Sequence, residues 1–194
     1  MEFDPYIAEG NEARQTQEAI RVALTGISMD EPVHFIAEDA DWESLWNDWL
    51  RDRFLPLIGP YLVEVRKLSV SILPREMIEL EGEFTTDLSS EEIERSISAA
   101  ERFKEQVAGA KHLPELKKLE AGSDRHFVTL FAARCASHHI PLVSSLSAYL
   151  YFELCSGIKN ITGDALSLRL ALPLLLPAVR QLLDSLPPFN YQVA

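Results

Sequence analysis

The chain has 194 residues, of which 47% are hydrophobic and 25% are charged, and its formal net charge at pH 7 is −12. This size and composition are typical of one globular domain with its own core, and they exclude a disordered chain. The acidic balance argues against binding to a nucleic-acid backbone or to an anionic membrane, because both need clustered Lys and Arg.

Charge is distributed unevenly along the chain. Residues 1–122 carry 26 acidic and 13 basic side chains, a net charge of −13, whereas residues 123–194 carry four acids and five bases, a net charge of +1. A helix that is apolar on most faces belongs in the interior of a bundle, and an acidic helix with one apolar stripe belongs outside it. We therefore expect an all-α, single-domain bundle over residues 1–194, with apolar core helices in residues 123–194 and a loose arm at residues 1–10.

The first predicted elements are a polar helix over residues 11–25, a loop marked by Gly26 and Pro32, and a short extended piece at residues 33–37. Asp41 is suited to be the N-cap of the next helix. The apolar residues of that helix recur at the spacing of one helical face, and they are Trp42, Leu45, Trp46, Trp49, Leu50 and Phe54.

Pro56, Gly59 and Pro60 predict the end of this tryptophan helix. Residues 63–84, which follow, fit two structures. Apolar and polar side chains alternate on both sides of residues 74–76, as in a small β-hairpin with its tip there. The same residues fit a helix that Pro74 opens at its first position, with Met77, Leu80, Glu81 and Phe84 on one face. We favour the helix because the surrounding elements are helical.

Later start and stop signals are clearer. Ser89 and Glu92 have the spacing of a capping box, and they open a helix that Gly109 is expected to end. Residues 114–119 predict a short turn of helix.

Three further helices are expected over residues 125–137, 141–157 and 165–186. Ser123 or Asp124 can cap the first of these helices, Pro141 suits the first position of the second, and Asp164 can cap the third. Pro173 and Pro177 should kink or divide the last helix.

The chain carries few groups that could perform chemistry. Cys135 and His139 are four residues apart, a spacing that can place two metal ligands on one helical face, and they are the weak candidates for a metal site. His126, His138 and His139 could instead serve an enzyme or sensor that binds a small molecule between the helices. Phosphate loops, dinucleotide fingerprints and zinc-protease motifs do not occur, so we expect no cofactor and favour a protein without catalytic activity over the enzyme alternative.

Two groups of residues are candidates for contact with a protein partner. The apolar candidates are Trp42, Trp46 and Trp49 on the tryptophan helix, and Leu174 and Leu175 within the proline-containing residues 172–179. The other group is the acidic run from Glu76 to Glu94, which is interpreted as a solvated face that could also steer a basic partner. The apolar C-terminal segment is consistent with a homodimer.

From about residue 85 to 180 the order of features resembles the urease accessory proteins of the UreF type. The similar segments are SSEEIERSISAAERF at residues 89–103, FAARCASHHIPL at residues 131–142, and the apolar sequence from residue 145 to 179. The resemblance implies an all-helical, non-catalytic chaperone that helps to assemble a metalloenzyme together with a GTPase. The family's N-terminal Leu-Pro-x-Gly-Gly-Phe segment is absent from residues 1–60, so no residue role is carried over.

The function that we expect is protein–protein interaction as a chaperone-like accessory protein, with a GTPase or a metalloenzyme as the partner. The N-terminal residues lack the basic and apolar regions of a signal peptide, and the most apolar run, residues 170–179, is too short to cross a bilayer. We therefore expect a cytoplasmic protein.

Overall fold

The computed structural model describes residues 5–38, 41–107, 119, 124–163 and 165–187, with side chains described from residue 14 onward. Within these ranges every regular element is helical and no strand occurs, which confirms the all-α prediction. The elements are α1 (Pro5–Leu24), α2 (Trp42–Trp49), a π-helical segment (Leu50–Ile58), α3 (Gly59–Val70), α4 (Pro74–Thr86), α5 (Ser90–Val107), α6 (Phe127–Ser137), α7 (Leu142–Thr162) and α8 (Leu168–Ser185). None of the described helices is long and apolar enough to cross a membrane.

The prediction of helix rather than hairpin for residues 63–84 is confirmed. Pro74 lies in the first turn of α4, where its missing N–H costs no helical hydrogen bond. The predicted break at Pro56 to Pro60 is wrong, because the chain stays helical from α2 through the π-helical segment into α3. The short turn at residues 71–73 is the real corner.

Several predicted helix ends also move. The capping box forms, since the Ser89 N–H donates to Glu92 at 2.9 Å and the Glu92 N–H to the Ser89 hydroxyl at 3.3 Å. The predicted loose arm is too long, because α1 already begins at Pro5. Pro141 is an N-cap rather than a first helical residue, α7 runs on to Thr162, and α8 stays undivided. The predictions for Gly109, Ser123, Asp164 and residues 114–118 fall outside the described residues.

Helices α6 and α7 form the interior. All ten residues from Phe127 to Ala136 are buried, and α7 is buried almost throughout from Ser144 to Ile158. α3 packs along α6, while α1 and α8 pack on α7. The expectation that all three C-terminal helices are interior is wrong for α8, which buries one stripe and leaves the opposite face in solvent.

A buried carboxylate fixes the N-terminus of α6. Glu81 of α4 accepts hydrogen bonds from the Arg125 guanidinium (2.6 Å), the His126 N–H (2.8 Å) and the Thr129 hydroxyl (2.6 Å). The Tyr61 hydroxyl of α3 in turn donates to Thr129 at 2.7 Å. The carboxylate therefore caps α6 and ties it to α3 and α4, a position where the helix dipole favours negative charge.

A second buried carboxylate fixes the segment between α1 and α2. Glu153 of α7 accepts the backbone N–H groups of His34 and Phe35, both at 3.0 Å, and the Tyr149 hydroxyl at 2.6 Å. Burial alone would raise the pKa of Glu153, but the hydrogen bonds from His34, Tyr149 and Phe35 outweigh it and hold the pKa below its ordinary value. Residues 33–37 thus lie against α7 through hydrogen bonds rather than through a strand ladder.

The same segment requires a glycine on α7. The Ala37 N–H donates to the carbonyl of Gly157 at 3.2 Å, and a Cβ at position 157 would lie 2.5 Å from a Phe35 ring carbon and 2.6 Å from its carbonyl oxygen. Phe35 then packs edge-on against Trp46, with ring centroids 4.9 Å apart. The glycine therefore allows the contact that positions α2.

Gly157→Ala should lower the free energy of unfolding by about 1–3 kcal/mol, because the added methyl group overpacks Phe35 and its backbone. Urea denaturation followed by circular dichroism measures the change. The matched control is Gly82→Ala in α4, where nothing lies within 4 Å of the new Cβ and stability should rise by roughly 0.5–1 kcal/mol. Equal effects of the two substitutions would contradict the proposed close approach.

Glu153→Gln should lower the free energy of unfolding at pH 7 by about 1–3 kcal/mol, because one amide oxygen replaces two carboxylate oxygens. If that oxygen accepts the His34 and Phe35 N–H groups, the NH₂ faces the Tyr149 hydroxyl, which donates to the carboxylate in the unsubstituted protein. Since the folded-state pKa of Glu153 is depressed, its contribution is complete above the unfolded-state pKa of about 4.3 and is lost as pH falls through the folded value. The difference between wild type and variant should therefore shrink below about pH 4. Glu79→Gln, at an exposed site on α4, should show no such pH-dependent difference.

Candidate functional site

The π-helical segment forms one wall of the candidate site. Pro56 lies inside it and cannot donate to a carbonyl one turn back, and its ring would collide with that carbonyl in a regular α-helix. The wider π turn accommodates the proline and keeps Leu50, Phe54 and Ile58 facing the core. Segments of this kind often lie at functional sites.

Helix α8 forms the other wall and approaches closely. A Cβ at Gly59, directly after the π-helical segment, would lie 2.6 Å from a methyl carbon of Leu182. The buried stripe of α8 is Ala171, Leu172, Leu175, Ala178, Val179 and Leu182. The π-helical segment and α8 therefore approach closely at Gly59.

Between the walls lies a groove of about 440 Å³. We call it the α8 groove, and its lining residues are Asn47, Leu50, Arg51, Leu55, Pro173, Leu174, Pro177, Ala178 and Gln181. Six of these nine residues are apolar, whereas Asn47 and Arg51 lie on one wall and Gln181 lies on the other. An open apolar groove between helices is a common binding site for an amphipathic peptide segment.

The rim of the α8 groove has its charges largely neutralised. Arg51 pairs with Asp52 at 2.7 Å and with Asp48 at 2.9 Å, and these carboxylates raise the pKa of the guanidinium. The hydrogen bond from Arg51 lowers the pKa of Asp52 in return. Exposed pairs of this kind add little stability.

The structure divides the residues that the sequence predicted as partner contacts. Three of them are core residues. The indole rings of Trp46 and Trp49 stack with their centroids 5.1 Å apart, and Leu175 lies on the buried side of α8. Their burial removes them from any accessible surface. Trp42 and Leu174 are half-buried, and Leu174 lines the α8 groove.

The three histidines of the alternative prediction are not brought together. His126 is buried at the N-cap of α6, whereas His138 and His139 are exposed beyond its other end, about 18 Å away along an 11-residue helix. Burial lowers the pKa of His126, although the charge of Glu81 opposes this effect. Its Nε2–H donates to Thr85 at 3.0 Å, since the Thr85 hydroxyl itself donates to the Glu81 carbonyl.

The predicted metal pair at Cys135 and His139 does not form. α6 ends at Ser137, and His139 turns away with φ of 54° into solvent, whereas Cys135 is fully buried. Burial raises the pKa of Cys135 to about 12, so its sulfur stays a neutral thiol. In the described part of the chain, no group of three or more His, Cys, Asp or Glu residues has the arrangement of a metal site.

The two buried carboxylates are the functional groups that sequence reasoning misplaced or missed. Glu81 was assigned to the solvated acidic face, yet it lies between Met77 and Phe84 on the buried face of α4. The spacing of Glu81 four residues after Met77 and three before Phe84 was the sequence signal for its burial. Glu153 is the one acidic residue in the apolar sequence of α7, and an isolated acid in such a sequence indicates a buried, hydrogen-bonded carboxylate.

A second cleft, of about 240 Å³, lies between the segment after α1 and α5. Arg102 and Gln106 line its rim, and Phe127 and Phe152 lie at its floor. Arg102 is already paired with Glu31 at 2.8 Å, and Gln106 accepts the Ser28 N–H at 3.1 Å. Its polar groups therefore hold the segment after α1, and none of the three histidines lines it.

No protein-family model, curated protein or solved structure matches the chain. The resemblance to urease accessory proteins accordingly stays a prediction from the sequence.

Both cysteines should be inert to thiol reagents in the folded protein. Cys135 and Cys155 are at most 1% exposed, and burial raises the pKa of each thiol. With Ellman's reagent at pH 8 we expect no rapid reaction in buffer and two thiols in denaturant. Cys155→Ser should leave one thiol under the second condition. Rapid reaction of the native protein would contradict the burial of these side chains.

Proposed function

We propose that this protein is a non-catalytic accessory protein that binds another polypeptide in the α8 groove. The observation that carries the proposal is the groove itself, which is open and lined mostly by apolar residues of the tryptophan helix, the π-helical segment and the proline-containing helix. Sequence reasoning selected the same two elements as contact surfaces, on independent grounds. The absence of a metal-type cluster in the described residues gives no support to a catalytic alternative.

The proline residues of α8 add a chemical reason for peptide binding. Pro173 and Pro177 cannot donate helical hydrogen bonds, so the carbonyls one turn before them, at Arg169 and Pro173, lack their usual N–H donor. A bound segment can supply donors to those carbonyls while its apolar side chains fill the groove. Leu170, 63% exposed, extends the apolar surface by one turn.

The class of client is part of the proposal and follows from the resemblance to urease accessory proteins. Those proteins work beside a GTPase on a metalloenzyme, and the acidic composition of this chain is compatible with a cytoplasmic setting. We therefore propose a GTPase or a metalloenzyme subunit as the protein held in the α8 groove.

Leu174→Arg and Asn47→Arg should each weaken client binding by about tenfold or more, because they place a charged chain in the α8 groove or at its rim. Each variant, expressed at native level, is used to capture interacting proteins, and the GTPase or metalloenzyme subunits captured are quantified by mass spectrometry.

The matched control is Val22→Arg, which changes an exposed apolar residue of α1 outside the groove. Thermal unfolding confirms that each variant is folded, and Asn47 is exposed, so its substitution should not disturb the core. Undiminished capture by both groove variants would contradict the proposal.

A further inference from the structure

The outer face of α4 carries a glycine that the packing of the described residues does not require. Gly82 lies in the middle of this helix, where a glycine costs roughly 1 kcal/mol relative to alanine. Its φ is not in the left-handed region, and nothing lies within 4 Å of the position of a Cβ. Unlike Gly59 and Gly157, it therefore has no close neighbour among the described residues.

Exposed apolar side chains lie beside this glycine. Ile78 is one turn before it on the same side of the helix and is 43% exposed. At the corner before α4, Ile72 is 56% exposed and Val70 is 61% exposed. Ile72 also has φ of 55°, a conformation that a β-branched residue rarely adopts. The corner thus holds a strained isoleucine in solvent.

The charges along α4 favour one kind of partner. Glu76, Glu79 and Glu83 follow one another at i, i+3 and i+7, so they line one side of the helix, and all are exposed. None has an ion pair among the described residues, whereas several other acids pair with a base three or four residues away, as in Glu64–Lys67, Glu91–Arg95 and Glu101–Lys104. Arg75 is the one base within α4.

We propose that this α4 face, formed by Ile78, Gly82 and the three glutamates, binds a basic amphipathic helix of a partner protein. The missing side chain at Gly82 lets a second helix approach closely, and Ile78 packs on its apolar face. Lys or Arg residues on the flank of that helix pair with Glu76, Glu79 and Glu83. This face lies on α4, and the α8 groove is formed by other elements, so the inference stands apart from the proposed function.

The binding test uses the whole protein and a fluorescein-labelled 18-residue peptide with leucines on one helical face and lysines on the other. Fluorescence anisotropy gives the dissociation constant, and a scrambled peptide of the same composition is the ligand control. We expect binding that weakens with added salt, because the ion pairs between the three glutamates and the lysines of the peptide would be exposed to solvent.

Gly82→Leu should weaken peptide binding by about tenfold, because the side chain blocks the close approach. The same substitution replaces a poor helix former with a good one, so the fold should be as stable as before or more stable. Loss of binding with gain of stability separates an interface role from a structural one.

The charge test compares two triple variants with the same change in net charge. E76Q/E79Q/E83Q removes the three glutamates of the α4 face, and E43Q/E94Q/E105Q removes three exposed glutamates of α2 and α5. The first should weaken binding by about tenfold and flatten its salt dependence, and the second should have less than about a twofold effect.

Three results would overturn the proposal. One is equal binding of the amphipathic and scrambled peptides, and another is equal loss in the two triple variants, which would indicate attraction to overall charge alone. The third is concentration-dependent self-association in sedimentation velocity that Gly82→Leu abolishes, since the occupant would then be a second copy of this chain.

Discussion

A buried carboxylate must have its oxygen atoms fully hydrogen-bonded, and this constraint governs the arrangement of the central helices. The cost of leaving such a charge without donors is several kcal/mol, which exceeds what one apolar contact contributes. Glu81 satisfies it with the N-terminus of α6, and Glu153 satisfies it with the backbone at His34 and Phe35. Because hydrogen bonds are directional, each carboxylate accepts one placement of the segment that it binds. Two helices that are apolar on all faces could otherwise rotate or slide with little change in buried area.

The α8 groove depends on that constraint through a series of contacts. Glu153 holds Phe35 against α7, and Phe35 packs on Trp46 and so positions α2. The π-helical segment continues α2 past Pro56, and the absence of a side chain at Gly59 lets α8 approach. The walls are therefore set by buried groups, and the groove between them is open to solvent. A preformed groove of this kind loses little conformational entropy when a ligand binds.

The two proposed surfaces have different chemistry. The α8 groove is lined mostly by apolar residues, and Arg51 in its lining is paired with Asp48 and Asp52. The α4 face combines a gap at Gly82 with three glutamates that have no basic partner among the described residues. An accessory protein with two such surfaces could hold two partners at once and raise their effective concentration.

Local information in the sequence determined the helices and several of their ends. The Ser89–Glu92 capping box, Pro74 in the first turn of α4 and the apolar spacing of the tryptophan helix each act within a few residues, so they can be recognised without the fold. Tertiary structure alone decided the groups that depend on distant partners. Pro56 continues a helix because the core holds the π turn, and Glu81 is buried because α6 supplies its donors from more than 40 residues away. The histidines and Cys135 lie close in sequence, but Cys135 and His126 are buried, whereas His138 and His139 are exposed beyond the end of α6. Periodicity indicates which face of a helix is apolar, whereas the identity of the opposing surface depends on contacts that no short stretch of sequence contains.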